Sequence, residues 1–169
     1  NISKLVKIIP GGKNGQDSIR NGIFALAEQY HDDDIILVHD AIRPMVSAEI
    51  ISDSIAKTKL YGCAISAIPA AEAVLESGDR IKSNVNVPRD KLLRTQTPQA
   101  APLGKLVWAH KTALEKGITN SVATCTLLIE LGETVYFSAG SEKNIKLTTT
   151  DDIEIFKALL HTQKSQWMK

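Results

Sequence analysis

The sequence is poor in the features that announce specialised proteins. It has two cysteines, Cys63 and Cys125. Both lie in apolar segments, with neither metal-ligand spacing nor the density of a disulfide scaffold. They read as buried thiols of a reducing compartment, with the cytoplasm as the expected location. Charge of one sign is also lacking: the formal net charge is +1. No global field therefore favours nucleic acid or an anionic membrane. No apolar run approaches the roughly 20 residues of a membrane span, and no signal peptide is visible. There is no opening methionine, so the sequence reads as a processed or truncated product. G-x-S-x-G, P-loop and zinc patterns are missing. His31, His39, His110 and His161 lack ligand-like spacing.

What is present fits one α/β domain. The 169 residues, 43% hydrophobic and 23% charged, suffice for a sizeable core. Apolar stretches alternate with stretches of helical period. "KLVKIIP" reads as a short strand, followed by the turn "GGKNGQ" and a helix over "DSIRNGIFALAEQY" capped by Asp17. "DIILVHD" is apolar on both faces, as in the centre of a parallel sheet. A helix capped by Ser47 and a buried strand, "GCAISAIP", come next. The stretch "EAVLESGDRIKSNVNVPRDKLLRTQTPQ" is polar, with a turn at Ser77-Gly78-Asp79, and reads as an arm leaving the sheet. Its span, 74–99, is expected to pack on a partner, because it has no core of its own. Helices over "PLGKLVWAHKTALEKG" and "VATCTLLIELG" end at Gly117 and Gly132. "TVYFSAG" and "NIKLT" read as strands, and a last helix starts at Thr149 or Thr150.

Three features fall at strand ends, where open α/β sheets bind ligands. The glycine turn "GGKNGQDS" could hold an anion or a base edge with exposed amides and the Ser18 hydroxyl. A purely structural turn is the competing reading. Asp40 could bind ribose hydroxyls or a metal, and Arg43 could pair with phosphate. The competing reading is a loop salt bridge. Lys146 joins them if it points into the same cleft; otherwise it is a solvated lysine. Arg89, Lys91 and Arg94 are either a solvated face or a phosphate clamp offered to a partner. His39 reads as a satisfied strand-end histidine.

Taken together, "GGKNGQDSIRNGI", "ILVHDAIRP", "VPRDKLLRTQTPQ" and "SEKNIKLTTTDDIEIF" resemble the cytidylyltransferases that act on 2-C-methyl-D-erythritol 4-phosphate. The related ribitol-5-phosphate cytidylyltransferases resemble the chain too, and "RDKLLRTQTPQ" and "TCTLLIELG" lean their way. The resemblance runs from about residue 5 to residue 160. It implies a Rossmann-like, mostly parallel sheet of the nucleotide-diphospho-sugar transferase type with a protruding β-arm. It implies CMP transfer from CTP to a polyol phosphate with loss of pyrophosphate, in isoprenoid or teichoic-acid metabolism, with Mg²⁺ as cofactor. The implied partners are CTP, the polyol phosphate and a second copy in a homodimer, with no nucleic acid and no membrane.

By the same resemblance Asp40, Arg43 and Lys146 are catalytic, and Lys146 lies near the acceptor phosphate. Gly12, Ser18 and Asp40 bind the nucleotide. Arg89 and Thr97 bind the acceptor, Arg89 from the neighbouring subunit. The family also carries a preceding βα segment with a glycine-rich loop, and this sequence opens after its position. Other departures sit at acceptor- or nucleotide-site positions of the family pattern: Glu72-Ala73 and Val122-Ala123 replace pairs that contain threonine, and Gly15 replaces an arginine. These departures leave a second expectation open, a non-catalytic dimeric binding protein on the same scaffold.

Overall fold

The computed structural model describes residues 4–167. Its elements, in chain order, are α1 (Gly15–Ala27), β1 (Ile35–Val38), α2 (Ala48–Tyr61), β2 (Ala64–Pro69), β3 (Val74–Glu76), β4 (Val85–Val87), a 3-10 turn (Arg89–Lys91), β5 (Leu93–Pro102), α3 (Leu103–Glu115), α4 (Thr124–Glu130), β6 (Phe137–Ala139) and α5 (Thr150–Trp167). The main sheet has the order β1-β5-β2-β6. β2 and β6 pair in parallel, and β5 pairs antiparallel to both β1 and β2. Three strands therefore run one way and β5 runs against them. The fold is α/β, and its structural relatives, described below, have the expected nucleotidyltransferase architecture.

Helices cover both faces. On one, the Ser54 hydroxyl of α2 lies 3.3 Å from that of Ser66 in β2 and 3.1 Å from that of Ser138 in β6. A small hydroxyl trio lets helix and sheet approach closely while each polar atom keeps a partner. Ala101 points to the opposite face from its neighbour Ala100. It joins Ile23 of α1, Leu103, Leu106, Ala109 and Ala113 of α3, and Leu127 and Leu128 of α4 in the main core. Ser47 caps α2 as expected, and Gly62 closes it at φ 80°, a conformation that a side chain would strain.

Several local expectations change. "KLVKIIP" is not a strand. It is extended along α1, with Val6 and Ile8 mostly exposed, and it has no ladder partner among the described residues. The cap of α1 is Asn14, whose side chain accepts from the Asp17 N–H, and Asp17 instead pairs with Arg20 at 2.9 Å. β1 lies at the edge of the described sheet, half-buried, against an antiparallel neighbour. An apolar run reports burial but not the direction of the partner strand.

"NIKLT" is irregular rather than a strand, because Leu147 N–H bonds the Ile42 carbonyl of a loop instead of a sheet neighbour. The polar stretch 74–99 divides. β3 and β4 pair only with each other and form the protruding hairpin. Residues 93–99 belong to β5, between β1 and β2. Their polarity hid a core strand, because buried Gln96 and Gln99 satisfy their amides internally.

Candidate functional site

β1 ends at Val38, and the chain turns at once: Arg43 N–H bonds the Asp40 carbonyl at 2.9 Å. That turn brings the Arg43 Nε to within 3.2 Å of Asp40 Oδ2. The same guanidinium donates to the Asn144 carbonyl at 2.7 Å. Arg43 is thus a brace between two loops, with its side chain only 11% exposed. Lys146 Nζ reaches Asp40 Oδ2 at 3.2 Å from the far loop. One carboxylate faces two cations, so the cluster carries a net positive charge where a polyanion could dock.

The loop that carries Lys146 is held from below. Asn144 is fully buried, and its Nδ2 donates to the Thr97 carbonyl at 2.9 Å and to Gln96 Oε1 at 3.2 Å. The Gln96 amide also exchanges two bonds with the Ser141 backbone. A lysine on an irregular loop thereby acquires a defined origin. Thr97 follows Gln96 on β5, and its hydroxyl accepts from Asp40 N–H at 3.0 Å. These residues border a cleft of about 240 Å³. Its charged wall is Asp40, Arg43 and Lys146, and its apolar side includes Ile19, Val122 and Ala123. A larger hollow of about 610 Å³ lies within the hairpin loop and shares no residue with the cleft.

Asp40, Arg43, Thr97 and Lys146 therefore come together. Gly12 and Ser18 do not line the cleft, although the next residue, Ile19, does. Their turn is self-contained: Gly12 N–H donates to Ser18 Oγ at 2.9 Å, and Ser18 Oγ donates to the Asn14 carbonyl at 2.9 Å. The Gly12 amide is thus occupied rather than open to an anion. A Cβ at Gly12 would lie 2.1 Å from that of Asp17, which explains the glycine. Arg89 is outside the cleft, exposed on the 3-10 turn, and donates to the Ala71 carbonyl at 2.8 Å. Arg94 pairs with Glu142, so the arm's cations do not form one clamp within the chain.

Among the departures, Val122 is 86% exposed at the cleft and Ala123 lies beside it. Glu72 and Ala73 are exposed where the hairpin begins, and Gly15 opens α1 with free space around it.

Sequence reasoning missed Gln16, Gln96 and Asn144. Gln16 is buried at the start of α1, where it donates to the Ile118 carbonyl at 2.8 Å and accepts from Ser121 N–H at 2.7 Å. It ties the glycine turn to the loop that carries Val122. The available signal was an amide inside or beside an apolar pattern, which is also how solvated glutamines read. His110 is buried, with neither ring nitrogen hydrogen-bonded among the described residues. Burial, and then the charge of Arg20, push it down to about 4. It is a neutral core residue.

The family model described as IspD, 2-C-methyl-D-erythritol 4-phosphate cytidylyltransferase, matches residues 1–162. The chain belongs to this family. A ribitol-5-phosphate cytidylyltransferase of Lacticaseibacillus paracasei is 39% identical over 165 residues, covering 96% of this chain and 70% of that protein. A 2-C-methyl-D-erythritol 4-phosphate cytidylyltransferase of Clostridium botulinum is 34% identical over 166 residues, covering 95% and 68%. The crystal structure of the Thermus thermophilus 2-C-methyl-D-erythritol 4-phosphate cytidylyltransferase superposes with a TM-score of 0.79 at 26% identity, covering 90% of this chain and 72% of that one. Family membership agrees with the resemblance carried by "HDAIRP", "TPQ" and "NIKLT". Among the described residues no helix is long and apolar enough to cross a membrane.

Proposed function

We propose that this chain carries the acceptor side and much of the nucleotide side of a CTP:polyol-phosphate cytidylyltransferase. A phosphate oxygen of the acceptor attacks the α-phosphorus of CTP. The bond from that phosphorus to the bridging oxygen breaks, and pyrophosphate leaves with the electron pair. No protein nucleophile is required, so catalysis is positioning and neutralisation of charge.

The observation that carries this reading is the Asp40–Arg43–Lys146 cluster at the end of β1. Lys146 has three ammonium protons, so it can keep Asp40 and still donate to phosphate oxygens. Arg43 holds Asp40 and the 144–147 loop in place, while Asp40 is left to receive a ribose or acceptor hydroxyl or a metal ion. Gly12 and Ser18 shape the turn assigned to the cytosine. Both relatives described above are named cytidylyltransferases, and this does not favour a non-catalytic scaffold.

Among the described residues no three His, Cys, Asp or Glu side chains cluster as a metal cage. Among the described residues Asp40 is the one carboxylate that lines the cleft. That donor set fits Mg²⁺, which commonly takes one or two carboxylates and completes its shell with phosphate oxygens and water. Held there by Asp40 and the triphosphate, it would neutralise charge on the leaving pyrophosphate.

The hairpin supports a homodimer. Leu75, Ile81 and Val85 are exposed on it at 60%, 87% and 46%, and a second copy would cover them. Arg89, at its base, would then serve the neighbour's acceptor phosphate. A CTP-consuming reaction of this kind belongs in the cytoplasm, where buried thiols also stay reduced.

The test is pyrophosphate release from CTP and Mg²⁺ by the full native chain, with ribitol 5-phosphate and 2-C-methyl-D-erythritol 4-phosphate as separate acceptors. Ribitol 5-phosphate is the first candidate, given the relative at 39% identity. Release with neither acceptor would refute the reading.

A further inference from the structure

The hydrogen-bond inventory around His39 has a direction built into it. His39 Nε2 lies 3.1 Å from the Arg43 carbonyl oxygen. A carbonyl only accepts, so Nε2 carries the proton. His39 Nδ1 lies 3.0 Å from Thr97 Oγ1. In the neutral ring Nδ1 is then a bare lone pair, and the Thr97 hydroxyl must donate to it. Thr97 Oγ1 also accepts the Asp40 N–H at 3.0 Å. Its proton and one lone pair are committed, and one lone pair remains for the cleft.

We infer that His39 is a positioning residue that turns a Thr97 lone pair toward the cleft, so that Thr97 recognises a hydroxyl hydrogen of the polyol acceptor. The inference rests on the cytidylyltransferase reading for the identity of that acceptor. His39 does not touch the reacting atoms. It acts through Thr97, and through the Arg43 carbonyl it joins the same turn that presents Asp40. The bland reading of a satisfied strand-end histidine accounts for its two partners but not for a directional chain that ends at a cleft hydroxyl.

Proton–nitrogen correlation spectra of the imidazole rings test the inference without substrate, with the His39 signal assigned by its loss in His39→Asn. The neutral ring should be the Nε2–H tautomer, and Thr97→Val should shift its Nδ1 signal. An Nδ1–H tautomer, or an Nδ1 signal indifferent to Thr97→Val, would overturn the inference. Kinetics of the full native chain supply the second arm. Wild-type turnover tests the underlying reading, and variant ratios test this one.

His39→Leu should lower kcat/KM for the polyol phosphate about tenfold, the scale of one lost hydrogen bond, with KM for CTP unchanged. His39→Asn places an amide oxygen where Nδ1 was, and it should recover most of that loss. On a Thr97→Val background, His39→Leu should cost little more. No loss in His39→Leu, additive losses in the double variant, or a loss confined to KM for CTP would each overturn it.

Discussion

Lys146 and Asp40 meet at 3.2 Å, Nζ to Oδ2, although one sits on the loop before α5 and the other at the end of β1. Their side chains are 45% and 31% exposed, so water screens the contact. Such a pair contributes about 0–1 kcal/mol to stability. Lys146→Ala should therefore leave the melting temperature within a few degrees of wild type. It should lower kcat about a hundredfold or more if the ammonium neutralises phosphate in the transition state. Thermal melts and pyrophosphate release on one preparation measure both. Undiminished turnover would remove Lys146 from the site.

Gln96 behaves differently, because it is buried and its amide holds the Ser141 backbone and Asn144. Gln96→Leu keeps the bulk and orphans those groups. It should destabilise the fold by about 2–3 kcal/mol in chemical denaturation, the scale of buried polar groups left unpaired. Turnover of the remaining folded protein should also fall, since the Lys146 loop loses its anchor. A loss of stability with full specific activity would show that the anchor is only structural.

Arg89 is exposed and outside its own cleft, so its expected effect depends on a partner. Arg89→Ala should raise KM for the polyol phosphate and leave that for CTP nearly unchanged. In the proposed homodimer, mixing Arg89→Ala with Lys146→Ala subunits gives heterodimers with one intact site and one doubly defective site. Activity should recover toward half of wild type within those heterodimers. No recovery after demonstrated exchange would place both residues in one chain's site, or show Arg89 to be a surface charge.

His110 sets a pH dependence of stability. Its folded value is pushed down to about 4, against roughly 6.5 when unfolded. Between those values the unfolded chain binds more protons than the folded one. The stability contributed by the neutral buried ring is therefore full above about pH 6.5 and is lost as pH falls toward 4. Melting temperatures should drop across that window, and His110→Leu should flatten part of the slope. An unchanged slope would assign the acid sensitivity to other groups.

Much of this was legible in the sequence, for reasons that differ by residue. Ser47 and the β2 run announce themselves through capping and continuous hydrophobicity, whereas Gly62 read as the head of that strand and is instead the left-handed close of α2. The "HDAIRP" segment gave away Asp40 and Arg43 because a charge beside a buried run needs a partner. Gln96, Gln99 and Asn144 were opaque. An amide in a strand becomes a core residue only when backbone partners from distant loops satisfy it, and local pattern cannot report those. The strand direction of β1 was hidden for the same reason: its neighbour β5 lies beyond α2, β2 and the hairpin.

That last pairing has a kinetic consequence. β1 is made early, yet its sheet neighbour in the described structure pairs Ile35 with Pro102 and Val38 with Gln99. The chain between them must be closed into a loop before the pairing can repay the entropy of closure, the hallmark of slow, high-contact-order folding. Asp40 rides on the end of β1, and Thr97 rides on β5. The cleft therefore assembles only when this long-range pairing has formed. A half-folded chain that has not yet placed β5 beside β1 has Asp40 without Thr97, and no place to gather two polyanions.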